Sequence, residues 1–268
     1  MEVDILEFQE IIWQKGRELY REMPWRTDTR PYYVMVSEIM LQQTQVDRVI
    51  PKFEAFIKRF PTVEDLAKAP LGDVLQMWSG LGYNRRAKFL HEAAIKVVNE
   101  FNGVFPETDK ELVSLPGIGV NTAGAIIAYS FNKPSIYIET NIRTVYFYHF
   151  FLDHGEVSDV ELRAVVEATA DTEHSREWYW AMMDYGSYLK RQGIGQNNKS
   201  SHYKKQSPLK GSVREVRGQI LKLLTTADFE ERELRIELMA DERFEPALLS
   251  LEKEGMIAKT GPVFHLKR

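Results

Sequence analysis

Leu115-Pro116-Gly117-Ile118-Gly119 is the stretch on which the reading of this chain turns. It lies between two segments of helical character, Asp109 to Ser114 and Val120 to Phe131. Two glycines flanking one aliphatic residue let the backbone turn sharply and leave its amides uncovered. The second helix begins at once and adds its own free N–H groups and positive dipole end. Such a hairpin can grip a phosphate at Leu115, Gly117, Gly119 and Val120 without a basic side chain. A plain corner between two helices would use the same residues, so the pentapeptide alone leaves both readings open.

Outward from the hairpin the chain reads as helical nearly throughout. Val36, Ile39, Met40, Val46 and Val49 recur at helical spacing, as do Phe89, Leu90, Ala93, Ala94, Val97 and Val98. Thr108 with Glu111, and Thr62 with Asp65, carry the signature of a helix start closed by a capping box. Eight prolines from Pro24 to Pro134 punctuate the first half at helix boundaries. The stretch Gln192 to Ser212 is polar and glycine-bearing, which marks a long loop or a boundary. Beyond it, Val213–Thr225, Glu230–Ala240 and Phe244–Glu254 read as helices, and Met256–Lys267 as a hairpin around Thr260-Gly261-Pro262. Three helices and a terminal hairpin suggest a winged-helix module.

The composition narrows the classes. The 268 residues are 44% hydrophobic and 28% charged, ordinary proportions for a folded chain. Leu112 to Asn132 is free of charge and long enough to span a bilayer, but Pro116, Gly117, Gly119, Asn121 and Thr122 interrupt it. A buried helix preceded by a turn fits better. The start has no basic or greasy leader, so a soluble, cytoplasmic protein without membrane attachment is expected. With no cysteine, disulfides, thiolate nucleophiles and cysteine-ligated metals are excluded. Between Lys190 and Lys222, nine basic residues face one acid, a local +8 in a chain of net −4. That run is either a solvated face or a contact for a polyanion.

The hairpin, followed about twenty residues on by an acid, resembles the helix–hairpin–helix superfamily of DNA glycosylases. Pro24-Trp25-Arg26, Ser37-Glu38-Ile39-Met40-Leu41-Gln42-Gln43-Thr44-Gln45-Val46 and Trp78-Ser79-Gly80-Leu81-Gly82-Tyr83 narrow the resemblance to its adenine-specific mismatch branch, the MutY family. The resemblance runs from about Trp13 to Asp184 and implies an all-α, two-lobed fold. Residues 24–134 would form a six-helix barrel lobe holding the hairpin unit 109–131. Residues 1–23 with 135–211 would form the second lobe, and 212–268 a winged-helix-like module. The DNA would lie across a cleft between the lobes.

The resemblance also assigns roles. Glu38 matches the general acid that protonates N7 of the purine, which is needed because a neutral base leaves poorly. Burial can hold such a carboxyl protonated near neutral pH. Gln43 and Tyr83 match the residues inserted into the base stack when the target base is extruded. Trp25, Arg26 and Asp184 match positions lining the base pocket.

Three departures accompany these matches. The family's catalytic Asp falls on Glu139, which has the charge but is one methylene longer. Its task is to stabilise the cationic sugar, and a displacement near 1 Å can cost around a hundredfold. Asn121 stands where bifunctional members carry a Schiff-base lysine, so base removal without strand cleavage is expected. Its amide could instead meet a base edge in the pocket. The four positions of the family's iron–sulfur ligands read Lys190, Asn197, Ser200 and Gln206, so no cofactor is expected. Lys199, Lys204, Lys205 and Lys210 of the same loop would contact phosphates instead.

Together these readings describe a monofunctional, mismatch-specific DNA glycosylase that binds double-stranded DNA as a monomer and leaves an abasic site. Adenine opposite guanine or 8-oxoguanine is the favoured target. Thymine or uracil opposite guanine is the alternative, and a non-catalytic mismatch-binding protein is the reading from another class.

Overall fold

A computed structural model describes residues 4–195 and 208–267. In chain order it has helices α1 (Ile5–Leu19), α2 (Pro24–Thr27), α3 (Pro31–Leu41), α4 (Val46–Arg59), α5 (Val63–Lys68), α6 (Leu71–Trp78) and α7 (Arg85–Phe101). There follow α8 (Asp109–Val113), α9 (Val120–Phe131), α10 (Thr140–Phe150), α11 (Asp159–Thr169) and α12 (Ser175–Arg191). The last part holds α13 (Val213–Leu224), β1 (Phe229–Glu230), α14 (Glu231–Glu237), α15 (Phe244–Lys253), β2 (Ile257–Thr260) and β3 (Val263–Leu266). Among the described residues no helix is long and apolar enough to cross a membrane.

Two compact units divide the chain. The first comprises Met1–Glu38, Glu107–Ser114 and Ile118–Lys205, and its core lies where α1 and α10 pack on α12. Phe8 of α1 sits in an aromatic cluster, its ring 5.3 Å from Tyr146, 4.9 Å from Phe150 and 6.1 Å from Trp178. Such rings bury large apolar areas and dominate the energy of a core this size. Gly186 of α12 faces the backbone of Asn141, where an added Cβ would lie 2.2 Å from the carbonyl oxygen. Only glycine lets α12 approach the start of α10 so closely.

The second unit comprises Ile39–Pro106, Leu115–Gly117 and Gln206–Arg268. Val49, Phe53 and Phe56 of α4, Trp78 of α6, and Leu90, Ala94 and Val97 of α7 fill its interior. Thr62 closes a full capping box with Asp65 at the start of α5, as the spacing predicts. Gly117 has φ +79, and an added Cβ would lie 2.8 Å from that of Phe89, so the hairpin tip requires glycine on both counts.

The C-terminal elements follow the helix–strand–helix–helix–hairpin order of a winged helix, with Phe244, Leu248, Leu251 and Phe264 buried. The predicted terminal hairpin is β2 with β3, antiparallel, with Lys259 opposite Phe264. The sheet has a third strand that the sequence does not announce. β1 is two residues long and pairs with β3 at Phe229–Phe264, too short to display an alternating pattern.

The two units divide the chain differently from the expected lobes. Residues 24–38, α8 and α9 group with the first unit, because the small residues of α9 pack on α12. The C-terminal module groups with the second, where the Gly72 amide donates to the Lys267 carbonyl at 2.8 Å.

Candidate active site

Glu38 lies on α3, and the protein around it pushes its carboxyl up to about 8. Burial is the main cause, the charge of Glu139 adds to it, and the Arg26 guanidinium opposes both. Glu139 is the N-cap of α10, with Oε1 accepting from the amides of Asn141 at 2.7 Å and Ile142 at 3.4 Å. Burial raises this carboxyl too, while the Asn141 amide, Lys190 and further backbone amides pull it back. Hydrogen bonds from amides favour the ionised form. Burial thus favours the protonated form of Glu38 near neutral pH, while at Glu139 the backbone amides and Lys190 act against the effect of burial.

Two buried tyrosines share this environment, and no motif marks either in the sequence. Burial first, and then the charge of Glu38, lifts the phenol of Tyr129 well above its ordinary value. Tyr137 is lifted in the same way, by burial first, then Tyr129 and Glu38. Both phenols are therefore neutral and can only donate or accept hydrogen bonds. In sequence Tyr129 looks like one more residue on the greasy face of α9.

Of the expected pocket residues, Trp25 is buried. Arg26 and Asp184 form a buried ion pair at 2.6 Å, with a second hydrogen bond at 3.1 Å. Asp184, only 1% exposed, also accepts from Arg21 Nε at 2.7 Å and from its backbone amide at 3.2 Å. Its carboxylate is committed to protein donors, so its place in the site is to hold Arg26 near Glu38 rather than to meet a base. The guanidinium of Arg26 lies 5.3 Å from the Tyr20 ring centre and 5.4 Å from that of Trp180.

Asn121 also has protein partners. Its Nδ2 donates to the Ile138 carbonyl at 2.9 Å, and the Ile138 amide donates to its Oδ1 at 3.3 Å. The side chain thus pairs with the Ile138 peptide through one of its donors and its acceptor oxygen. What it fixes is the residue immediately before Glu139.

In the second unit the two expected stack-filling residues share a backbone feature. Gln43 has φ +56 and Tyr83 φ +48, both in the left-handed region that non-glycine residues rarely adopt. Both neighbourhoods are tied to Arg86, which is 8% exposed and which no motif marks in the sequence. Its Nη1 donates to the carbonyls of Ile39 at 2.8 Å, Met40 at 2.9 Å and Gln42 at 2.5 Å. Its Nη2 donates to Gly82 at 3.0 Å and to the Thr44 hydroxyl at 3.2 Å. Burial lowers this guanidinium to about 10, so it stays charged at neutral pH. The hint in sequence was an arginine three residues after Tyr83 on the apolar face of α7.

The phosphate-binding candidates fall into two groups. Gly119 is the N-cap of α9 with no side-chain cap and open space around it, and Val120 is 73% exposed. Both residues are exposed at this helix start, while the Leu115 side chain is buried. Lys210 is exposed, and Lys199, Lys204 and Lys205 lie outside the described residues.

Comparison with known proteins places this geometry. Residues 36–167, which hold Glu38, the hairpin and Glu139, match the HhH-GPD superfamily of base excision DNA repair proteins. An adenine DNA glycosylase of Mycobacterium tuberculosis is 31% identical over 264 residues, covering 90% of this chain and 87% of that protein. The chain belongs to the adenine DNA glycosylase family. Another relative of that name, from Buchnera aphidicola subsp. Baizongia pistaciae, is 38% identical over 170 residues, 63% of this chain and 48% of its own. The alignments to the Buchnera relatives span about half of their length. A thermostable thymine-DNA glycosylase shares the fold, with a TM-score of 0.61 at 24% identity over 68% of this chain and 86% of that one.

The resemblance of this adenine DNA glycosylase family member implies four iron–sulfur ligand positions, and none of them carries a cysteine. Lys190 stands at the first ligand position, and its Nζ donates to Asn141 Oδ1 at 3.2 Å. An ammonium offers iron no lone pair, and the whole chain contains no cysteine. The residues do not fit such a cluster. Asn197, Ser200 and Gln206, at the other three positions, lie outside the described residues. Lys190 faces the start of α10 instead, where its charge draws the Glu139 carboxyl down against the larger effect of burial.

Proposed function

We propose that this chain is a monofunctional, mismatch-specific DNA glycosylase that removes adenine opposite guanine or 8-oxoguanine. The observation that carries the reading is the pair Glu38 and Glu139, two buried carboxyls in one environment, of which Glu38 is raised to about 8 and Glu139 accepts from the amides that open α10. The relatives' name, adenine DNA glycosylase, supports the choice of base.

In this reaction Glu38 gives its proton to N7 of the extruded adenine. The electrons of the bond from C1′ to N9 then leave with the base, and C1′ becomes cationic. The Glu139 carboxylate stabilises that cation electrostatically. Water adds to C1′, and its proton returns to Glu38. Gln43 and Tyr83 fill the space the base left, and the uncapped start of α9 at Gly119 and Val120 holds a backbone phosphate. Residue 121 carries no amine, so no imine forms and the product is an intact strand with an abasic site. The enzyme would work as a monomer on double-stranded DNA in the cytoplasm.

Single-turnover excision on duplexes holding one A:G, A:8-oxoG, T:G or U:G pair tests this reading. Adenine release that needs alkali to reveal the abasic site, and that Glu38→Gln and Glu139→Gln both abolish, is the expected result. Release of thymine or uracil with adenine left intact would move the substrate to a pyrimidine. Tight mismatch binding without any excision would leave a binding protein.

A further inference from the structure

We propose that Arg214, on the first helix of the C-terminal module, is a positioning residue for Tyr83, so that the module sets the side chain that fills the opened base stack. This rests on the reading of Tyr83 as that filler. Arg214 Nη1 donates to the Tyr83 hydroxyl at 2.9 Å, and the guanidinium carbon lies 4.7 Å from the centre of the ring. The two residues are 131 positions apart, so the contact exists only because the module is seated there.

Other contacts fasten the module beside the same loop. Glu254, at the end of α15, accepts from Arg85 at 2.6 Å, two residues beyond Tyr83. It also accepts both Nη atoms of Arg217, one turn along α13 from Arg214, at 3.0 and 2.7 Å. Tyr83 itself stands on a left-handed backbone, behind Gly80 and Gly82 at φ +93 and +76. A loop of this kind gives its tip little support of its own. Arg86 fixes the base of the loop through the Gly82 carbonyl. Arg214 fixes the far end, the phenol, and so the direction in which the ring points. Holding a filler in one orientation before it meets DNA lowers the entropy cost of insertion.

A double-mutant cycle on the full chain tests the assignment. Two readouts serve: single-turnover adenine excision, and the fluorescence rise of 2-aminopurine placed opposite guanine, which reports extrusion without requiring cleavage. Arg214→Ala and Tyr83→Ala are each expected to slow excision and cut the fluorescence rise about tenfold. The double variant is expected to be no worse than Tyr83→Ala alone. Tyr83→Phe, which keeps the ring and loses the hydroxyl, should reproduce much of the Arg214→Ala defect, and Arg214→Gln guards against a folding effect of the truncation. Defects that multiply in the double variant would overturn the proposal, because Arg214 would then act on DNA independently. A faster Arg214→Ala would also overturn it, making the contact a restraint. A Tyr83→Ala variant that extrudes 2-aminopurine normally would instead remove the filler role itself. That outcome is distinct from a failure confined to Arg214.

Discussion

Arg86 donates to the Gly82 carbonyl at 3.0 Å, and through the other arm of the same guanidinium to Gln42 at 2.5 Å. One buried cation therefore holds the peptides immediately before Tyr83 and immediately before Gln43. A lysine has the charge but not the planar fork that serves five acceptors.

Arg86→Ala is expected to unfold the second unit more readily, because several buried carbonyls lose their donor at once. Each such group costs about 1–3 kcal/mol, and a total of at least about 3 kcal/mol corresponds to a fall in melting temperature of about 6 °C or more. Arg86→Lys should recover only part of that loss. Thermal unfolding by circular dichroism reads both, and a melting temperature within about 1 °C of wild type for Arg86→Ala would contradict this account.

Glu38 makes a prediction about pH that separates activity from stability. Its carboxyl is raised to about 8, so the folded chain binds a proton there that the unfolded chain releases above about 4.5. Stability from this group is thus greatest at low pH and declines as pH rises through 4.5 to 8. Glu38→Gln removes the penalty, and the variant should gain on the order of 1–3 kcal/mol over wild type at pH 9 and almost nothing at pH 4. Excision by wild type should fall above about pH 8 as the acid loses its proton. A Glu38→Gln variant no more stable than wild type at pH 9 would show that the carboxyl is not desolvated.

Asn121 links its side chain to the peptide before Glu139, and its removal should be felt in rate more than in folding. Asn121→Ala loses two hydrogen bonds at an exposed site, worth about 1 kcal/mol. A carboxylate released by even 1 Å can lose around a hundredfold in rate. Single-turnover excision of Asn121→Ala should therefore fall tenfold to a hundredfold, with affinity for a mismatch duplex unchanged. A loss confined to affinity would return Asn121 to base recognition.

The module seated beside Tyr83 should loosen in acid. For Glu254, burial opposes ionisation, but hydrogen bonds from Arg85 and Arg217 outweigh it and draw the carboxyl down to about 2. A lowered acid contributes stability above its unfolded value, and that contribution is lost as pH falls from about 4.5 to about 2. Glu254→Gln should cost on the order of 1–2 kcal/mol at pH 7 and little at pH 2. Hydrogen exchange of α13 and α15 amides at the two pH values would measure the change.

Much of this was legible in the residues. The hairpin, the span Val120–Phe131 of α9 and the capping box at Thr62 follow from local rules that act within four residues. Glu38 and Glu139 were legible as positions, through the motif around each. The raised carboxyl of Glu38 was not, since it arises from what the fold packs around it. Asn121 with Ile138, Arg86 with Gln42 and Arg214 with Tyr83 are separated by 17, 44 and 131 positions. No spacing rule reaches across such distances. Asp184 misled because an acid at that position fits a pocket as readily as an ion pair, and only the seated Arg21 and Arg26 decide between them.

The pairing of Asn121 with Ile138 also bears on how such an enzyme could diversify. A lysine at position 121 would bring the amine that strand cleavage requires. The same exchange would delete the amide that steadies the approach to Glu139, and an ammonium cannot accept from the Ile138 N–H. One codon change would therefore gain a new reactive group and disturb the old one together. A lineage starting from this sequence would need a second change in the loop before Glu139 to keep a working intermediate on the way.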